Sequence, residues 1–135
     1  MSNCIFCSII EGRLPAFVVY EDESFLAIMD KFPSAKGHVL LLPKRHVADI
    51  YGLNATEAAA LVPLAQRISE KMRDVLGMDG HNLIQNNGKA AGQVVMHFHL
   101  HLVPRYVGDG VVIKGDGGVD ASDEVLEELA GLLRL

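Results

Sequence analysis

Short apolar runs broken by turn residues predict three β-strands near the start of the chain. Phe17 to Glu21 and Phe25 to Asp30 are β-prone and flank the turn-like Asp22-Glu23-Ser24, which predicts a hairpin. Val39 to Leu42 is closed by Pro43. Because this third run has no polar position, we expect it to be buried on both faces of a sheet.

Apolar residues at steps of three and four predict a long helix in the middle of the chain. The pattern runs from Asn54 or Thr56 to about Leu76, and Gly77 is a natural stop. Pro63 lies inside it, and a proline within a helix removes one hydrogen bond and clashes with the preceding turn. We therefore expect either a kink or a helix that begins later than the pattern.

The remaining segments complete the prediction of a small mixed fold. They comprise a short helix over Cys4 to Glu11, a strand over Asn82 to Asn86, a loop over Gly88 to Gly92, a strand over Met96 to Pro104, and a final helix over Asp123 to Leu133 with Ser122 as N-cap. Short turns join the strands, without regular strand–helix alternation. This order predicts an α+β fold with helices on one side of an antiparallel sheet of about five strands.

Length and composition place these elements in a single globular domain over residues 1–135, with its core at about 4–105. Five glycines between Gly108 and Gly118 predict a flexible segment before the last helix, within 106–135. The net charge of -5 opposes binding to nucleic acid or an anionic membrane. The chain also lacks a signal-peptide pattern and an apolar stretch of about 20 residues. We therefore expect a cytoplasmic protein with neither nucleic acid nor membrane as partner.

A row of alternating histidines is the most informative chemical feature. His97, His99 and His101 are half of the six histidines, and apolar residues separate them. On a β-strand, side chains two residues apart point to the same face and lie about 7 Å apart. We therefore expect three imidazoles on one face, with Phe98 and Leu100 entering the core behind them.

Three interpretations of this row remain open from the residues alone. Polar side chains on the solvent face of a strand would give the pattern without any activity. A catalytic metal centre is the second, but the first and third imidazoles would lie some 13 Å apart, too far to share one ion. The third is nucleophilic attack of a neutral imidazole on phosphorus, assisted by flanking imidazoles. His99, with a partner on each side, is the best-placed nucleophile.

The two cysteines, Cys4 and Cys7, form a Cys-x-x-Cys motif. A structural disulfide is not expected in a reducing compartment. A thioredoxin-type redox motif would follow a strand in a βαβ unit, whereas this one opens the chain. Metal ligation, or burial as small apolar groups, remains.

Several ordered motifs identify a family resemblance. The segment 97–103, His-Phe-His-Leu-His-Leu-Val, matches the His-φ-His-φ-His-φ-φ signature (φ apolar) of the histidine-triad superfamily. Upstream, Ile-Phe-Cys, Val-Tyr-Glu-Asp, Gly-His-Val-Leu, Pro-Lys-Arg-His and Gly-Gln follow in family order and spacing between residues 4 and 105. With His46 after Pro-Lys-Arg and the N-terminal Cys-x-x-Cys, the chain resembles the bacterial Hint-like branch.

This resemblance implies a nucleotide hydrolase or nucleotidyltransferase that acts on the α-phosphate of nucleoside phosphoramidates or related derivatives. His99 resembles the nucleophile that forms a nucleotidyl-histidine intermediate, and His97 and His101 resemble its flanking catalytic partners. A purine nucleotide substrate and a homodimer are also implied. The alternatives are a dinucleoside polyphosphate hydrolase and a non-catalytic nucleotide-binding module.

The resemblance also implies residues around the substrate. Asp30 resembles the residue at the ribose hydroxyls, Asn86 and Gln93 resemble residues that line the phosphate and orient the site, and His38 lies near the same site without an assigned step. His99 and His101 complete the substrate-binding set. Val94 departs from the family pattern, because Hint-like relatives often carry serine there and Fhit-like ones threonine, so a hydroxyl at the phosphate is missing.

The resemblance finally implies a structural zinc ion with two sulfur and two nitrogen ligands. Bacterial relatives with the Cys-x-x-Cys motif, and the related hexose-phosphate uridylyltransferases, pair the cysteines with the histidine after Pro-Lys and the first triad histidine. The implied ligands are Cys4, Cys7, His46 and His97. Only one histidine of the row would then contact the metal.

Overall fold

A computed structural model describes residues 3–112 and 121–135 of the chain. Within these residues, five strands form one antiparallel sheet in the order β1-β2-β3-β5-β4, accompanied by three α-helices. The elements are α1 (Ile5–Ile10), β1 (Val18–Glu21), β2 (Phe25–Met29), β3 (Val39–Pro43), α2 (Ala55–Leu76), β4 (Gly80–Ile84), β5 (Leu100–Arg105) and α3 (Asp123–Leu133). Residues 113–120 of the predicted glycine-rich segment lie outside the described residues. The predicted α+β class is confirmed.

The first hairpin forms because the side chain of Asp22 closes its turn. One carboxylate oxygen of Asp22 accepts hydrogen bonds from the backbone N–H groups of Ser24 and Phe25, both at 2.7 Å. This Asx-type turn reverses the chain between β1 and β2. The next strand, β3, pairs with β2 over its whole length and is buried at every position, as its apolar run predicts.

The sheet is covered on both faces, which corrects the prediction that all helices lie on one side. Alternate residues of β2 and β3 belong to two separate apolar clusters. One cluster holds Met29 and Leu41 together with α2 and α3, and the other holds Ile28 and Leu40 together with Phe6 of α1. The apolar Phe6 therefore brings α1 to the opposite face, which we call the α1 face.

Helix α2 begins where the longest version of the pattern predicts. Asn54 accepts a hydrogen bond from the N–H of Glu57, and the Glu57 carboxylate accepts one from the N–H of Asn54, a reciprocal capping box. The helix then continues through Pro63 to Leu76, and Gly77 ends it in a left-handed conformation. The expectation of a later start is therefore wrong, because the capping box satisfies the first turn.

The last two strands differ in extent from their predictions. Strand β4 is Gly80–Ile84, two residues earlier than expected. Strand β5 begins only at Leu100, because its pairing with β3 ends at Leu41 opposite Leu100. Before that point the Phe98 N–H donates to the carbonyl of Val47 in a loop. His97 and His99 therefore precede the strand, a correction to the expectation of one continuous strand.

The C-terminal helix is held against the first strand. Ser122 caps α3 by accepting from the N–H of Val125, as predicted. The Arg134 guanidinium donates to the carbonyl of Val18, and the N–H of Leu135 donates to that of Val19. Among the described residues, no helix has both the length and the apolar character that crossing a membrane requires.

Candidate active site and metal centre

The two cysteines lie at the N-terminal end of α1. Cys4 is the N-cap of the helix, and its sulfur accepts a hydrogen bond from the N–H of Cys7 at 3.3 Å. Positions three apart on a helix lie on one face, so the Cys-x-x-Cys spacing directs both sulfurs to one side. Because Phe6 anchors α1 in the α1-face cluster, that side meets the histidines.

Two histidines complete a cluster with these sulfurs. The Nδ1 atom of His97 lies 3.4 Å from the sulfur of Cys4 and 3.6 Å from that of Cys7. The Nδ1 atom of His46 lies 3.3 Å from the sulfur of Cys7 and 3.2 Å from Nδ1 of His97. These are the four residues that the sequence resemblance implies as zinc ligands.

The geometry of this cluster matches a tetrahedral zinc site. With Zn–N bonds of ~2.0–2.1 Å and Zn–S bonds of ~2.3 Å, tetrahedral geometry separates two nitrogens by about 3.3 Å and a nitrogen from a sulfur by about 3.5 Å. The observed separations of 3.2 Å and 3.3–3.6 Å lie close to these values. The protonation state of His97 also fits. Its Nε2–H donates to the carbonyl of Pro43 at 2.8 Å, so in the neutral ring the Nδ1 lone pair faces the sulfurs.

The backbone of His97 orients the next histidine in the row. The Nδ1–H of His99 donates to the carbonyl oxygen of His97 at 2.7 Å. Nε2 of a neutral His99 therefore keeps its lone pair. Burial lowers the pKa of His99, although this hydrogen bond and the carboxylate of Asp30 both raise it. His99 is thus a neutral imidazole with a fixed nitrogen lone pair, as a nucleophile requires.

A chain of hydrogen bonds also fixes the tautomer of His101. The backbone N–H of Ser34 donates to Nδ1 of His38 at 3.0 Å, so neutral His38 carries its proton on Nε2. That Nε2–H donates to Nδ1 of His101 at 2.9 Å. His101 must then carry its own proton on Nε2. His101 is therefore a hydrogen-bond donor beside His99, with ring centroids 4.9 Å apart.

Burial keeps both members of this pair neutral. It lowers the pKa of His38 to about 4, with a further lowering by His99. It also lowers the pKa of His101 to about 4, where His99 and His38 add to the effect and Asp30 opposes it. Two neutral imidazoles joined by one hydrogen bond avoid the cost of placing a cation in this interior.

The same hydrogen bonds disfavour a metal ion at the second half of the row. Asp30, His38 and His101 could each offer one ligand atom within 4.8 Å of the others. However, Nδ1 of His38 is occupied by the Ser34 N–H, so Nε2 keeps its proton in the neutral ring. A metal at Nε2 would require loss of that proton. This arrangement favours proton donation over metal binding here.

Asp30 lies at the end of β2, beside this pair. One carboxylate oxygen accepts from the N–H of Phe32 at 2.9 Å, and the other lies 3.4 Å from Nε2 of His38. Burial raises the pKa of Asp30, while the Phe32 N–H, His101 and His99 lower it. Because His38 is neutral at pH 7, its contact with Asp30 is not an ion pair. The carboxylate can therefore accept hydrogen bonds from a ligand.

The two amide side chains of the implied substrate set have different surroundings. Gln93 is buried, and its Nε2 donates to the carbonyls of Ala48 and Val95. Both donor hydrogens are thus used by the backbone, so Gln93 braces the loop instead of presenting a donor to a phosphate. Asn86 is half-buried. Its side-chain nitrogen lies near Gly92, 3.8 Å from the position that a Cβ atom would take on that glycine.

The histidine row lies on the α1 face, and the rings of His99 and His101 lean together there. Their centroids are 4.9 Å apart. His97 turns towards the cysteines, and the ring of Phe6 stands edge-on against His97 and His99, at 5.8 Å and 5.1 Å. His97 therefore belongs to the cysteine–histidine cluster, whereas His99 and His101 lie beside each other away from it.

Several residues of the site have no signal in the sequence pattern. The carbonyls of Pro43 and His97 and the N–H of Ser34 fix three tautomers, but every residue carries such backbone groups. The ion pair between Arg45 and Glu57 secures the loop that bears His46, with an N–O distance of 2.7 Å. The sequence gives one indication of this ion pair: Arg45 is next to His46, and Glu57 lies in the first turn of α2, where it belongs to the capping box.

Three comparisons with known proteins bear on this site. The family model described as HIT domain matches residues 11–108. An uncharacterised HIT-like protein of Methanocaldococcus jannaschii is 45% identical over 129 residues, which cover 95% of this chain and 99% of that protein. An adenylylsulfatase of Arabidopsis thaliana is 39% identical over 104 residues, 77% of this chain and 53% of that protein.

A solved structure with bound zinc is among the similar proteins. It is a Zn-bound histidine triad family protein from Mycobacterium smegmatis, with a TM-score of 0.85 and 40% sequence identity. The match covers 98% of this chain and 91% of that one. The shared fold therefore extends over almost the whole sequence.

The neutral His38–His101 pair predicts a specific loss of stability in acid. Unfolded histidines titrate near pH 6.5, so between about pH 4 and 6.5 the unfolded chain binds more protons than the folded one. The contribution is full above pH 6.5 and is lost as the pH falls. In His38→Gln the amide can keep both hydrogen bonds but cannot titrate. We expect this variant to lose about 2 kcal/mol less unfolding free energy than wild type between pH 7 and pH 5.

Urea unfolding of both proteins at the two pH values, with a chelator present throughout, measures this difference. The chelator makes the contribution of the cysteine–histidine cluster the same in both proteins. Equal losses would contradict the neutral state assigned to His38.

Proposed function

Because this chain belongs to the HIT domain family, we propose that it is a nucleotide hydrolase or nucleotidyltransferase that acts on the α-phosphate of nucleoside phosphoramidates or related nucleotide derivatives. The observation that carries this proposal is the state of His99. Its Nδ1–H is committed to the His97 carbonyl, and its lowered pKa leaves Nε2 as a free nucleophile at neutral pH. A non-catalytic nucleotide-binding module would not require such a nitrogen.

The reaction we propose has two displacements at phosphorus. Nε2 of His99 forms a bond to the α-phosphorus as the bond to the leaving group breaks. The Nε2–H of His101 donates a hydrogen bond to the departing atom, which takes its proton from solvent water. Water then attacks the nucleotidyl-His99 adduct, the P–N bond breaks to restore neutral His99, and the proton of the attacking water passes to solvent. Splitting the reaction lowers each barrier, and the donor beside His99 stabilises the developing charge.

Asp30 and the name of one relative support a purine nucleotide as substrate. Asp30 can accept hydrogen bonds from two ribose hydroxyls, since its second oxygen has only a 3.4 Å contact to His38. The adenylylsulfatase name of one relative also describes a substrate with an adenylyl group.

We also propose that the cysteine–histidine cluster holds a structural zinc ion. Cys4, Cys7, His46 and His97 would supply all four ligands, so no position would remain open for water or substrate. The ion would cross-link α1, the loop after β3 and the start of the row. Thiolate ligands persist in a reducing compartment, which supports a cytoplasmic location.

Replacement of the nucleophile tests the central claim. We expect His99→Ala to lose at least 1,000-fold in turnover, because covalent catalysis has no substitute nitrogen at that position. The nucleotidyl adduct that rapid-quench mass spectrometry detects in wild type should also disappear. His81→Gln, at an exposed histidine on β4, is the matched control. A variant with a tenth of wild-type turnover would exclude His99 as the nucleophile.

The leaving group separates the proposed activity from its closest alternative. A phosphoramidate carries a small leaving group on the α-phosphate, whereas a dinucleoside polyphosphate needs room in the site for a second nucleoside. We expect a higher kcat/KM with adenosine phosphoramidate than with diadenosine tetraphosphate. The opposite order would favour the polyphosphate hydrolase. Micromolar nucleotide binding without turnover of either compound would favour the binding module.

Metal content tests the zinc proposal. We expect close to one zinc per chain by elemental analysis of untagged protein, and a lower unfolding temperature after removal of the metal, because the ion is bound only in the folded state. Cys7→Ser should bind zinc at least tenfold more weakly. Metal-free wild type with full activity and unchanged stability would refute a structural role.

The exposed edge of the sheet supports a homodimer. Strand β4 pairs only with β5 in the described sheet, and Leu83 on this edge and Val62 on α2 are both exposed. A second copy would satisfy the free backbone groups of β4 and cover this apolar surface. We expect a dimer by sedimentation equilibrium, and a monomer for Leu83→Lys. A monomeric wild type at micromolar concentration would contradict the proposal.

A further inference from the structure

Two loop segments must lie side by side to bring the histidine ligands together. His46 lies just after β3, whereas His97 lies just before β5, 51 residues later. Neither residue is in a strand, so the hydrogen bonds of the sheet do not fix the distance between them. The segment after His46 is instead joined to the segment around His97 by separate contacts.

These contacts are few and involve neighbours of both ligands. The N–H of Phe98, next to His97, donates to the carbonyl of Val47, next to His46, at 2.7 Å. The ring of His97 itself donates from Nε2 to the carbonyl of Pro43, three residues before His46, at 2.8 Å. Beyond His46 the side chain of Gln93 adds a further contact, in which its Nε2 donates to the carbonyl of Ala48 at 2.6 Å. The same nitrogen donates to the carbonyl of Val95, two residues before His97, at 3.0 Å.

Gln93 is itself held rigidly. Its Oε1 accepts from the backbone N–H of Gly88 at 2.7 Å, and the backbone N–H of Gln93 donates to the carbonyl of Gly88 at 3.1 Å. The side chain is 3% exposed, so water does not compete for these bonds. One buried amide thus joins the backbone beyond His46 to the backbone before His97.

We propose that Gln93 is a positioning residue of the metal centre, whose amide bridge holds the His46 and His97 segments at the separation that two nitrogen ligands of one ion require. This role differs from the contact with phosphate that the sequence resemblance implies. Its physical basis is preorganisation: ligands that are already in place lose less conformational freedom when the ion binds. The inference rests on the zinc proposal made above.

The substitution Gln93→Met tests this role. Methionine has a similar length but cannot donate to Ala48 or accept from Gly88. We expect zinc affinity, measured by competition with a chromophoric chelator, to fall about 10- to 100-fold, the usual effect of losing a residue that orients metal ligands. The visible absorption bands of the cobalt-substituted protein should also change, because they report the ligand geometry around the ion.

Gln85→Met is the matched control. Within the described part of the chain, the amide of Gln85 bonds only to its neighbours Asn86 and Asn87, so this variant should keep zinc affinity within twofold of wild type. If Gln93→Met binds zinc as tightly as wild type, with the same cobalt spectrum, the inference is wrong even if its metal-free form is less stable. If wild type binds neither ion, the zinc proposal itself fails.

A measurement on wild type covers the case in which Gln93→Met does not fold. Coupling is reciprocal, so if the amide bridge strengthens zinc binding, zinc must strengthen the bridge. We expect the side-chain amide protons of Gln93 and the N–H of Phe98 to exchange at least tenfold more slowly with zinc than without it, by NMR. Exchange rates that zinc does not change would overturn the inference.

Discussion

The hydrogen bond from His99 to the carbonyl of His97 is the interaction on which the rest of the site depends. A free imidazole has two interchangeable nitrogens, and only the one without a proton can attack phosphorus. The 2.7 Å bond removes this ambiguity by using Nδ1 as the donor. It also ties His99 to the backbone of His97, two residues earlier, so the position of His97 sets the position of the imidazole that we propose as the nucleophile.

His97 therefore connects the cysteine–histidine cluster with His99. Its Nδ1 faces the cysteine sulfurs, its Nε2–H donates to Pro43, and its carbonyl orients His99. Helix α1 closes the arrangement, because it supplies both sulfurs and the Phe6 ring that packs against the two imidazoles. In the function we propose, a metal ion would stabilise the catalytic row without taking part in the chemistry.

Much of the fold can be predicted from local patterns, and the wrong predictions for β5 and α1 have a common cause. The apolar run of β3 and the periodicity of α2 predict those elements well, because burial imposes their repeats. The predictions of where β5 begins and on which face of the sheet α1 lies are wrong, because both features depend on partners far away in the chain. Strand pairing stops at Leu100, and Phe98 bonds to a loop instead. No pattern within residues 96–104 reports that change.

The sequence by itself determined which groups are candidates for the site: three alternating histidines, a Cys-x-x-Cys motif, and Asp30 and His38 at recognisable positions. The tertiary structure alone decided which ring nitrogen carries the proton in these histidines. Proton location on His38, His97 and His99 is set by the Ser34 N–H and by two carbonyl oxygens. Backbone groups are the same at almost every residue, so the sequence does not mark the ones that matter. Only folding brings a particular one within hydrogen-bonding distance of an imidazole and so assigns its role.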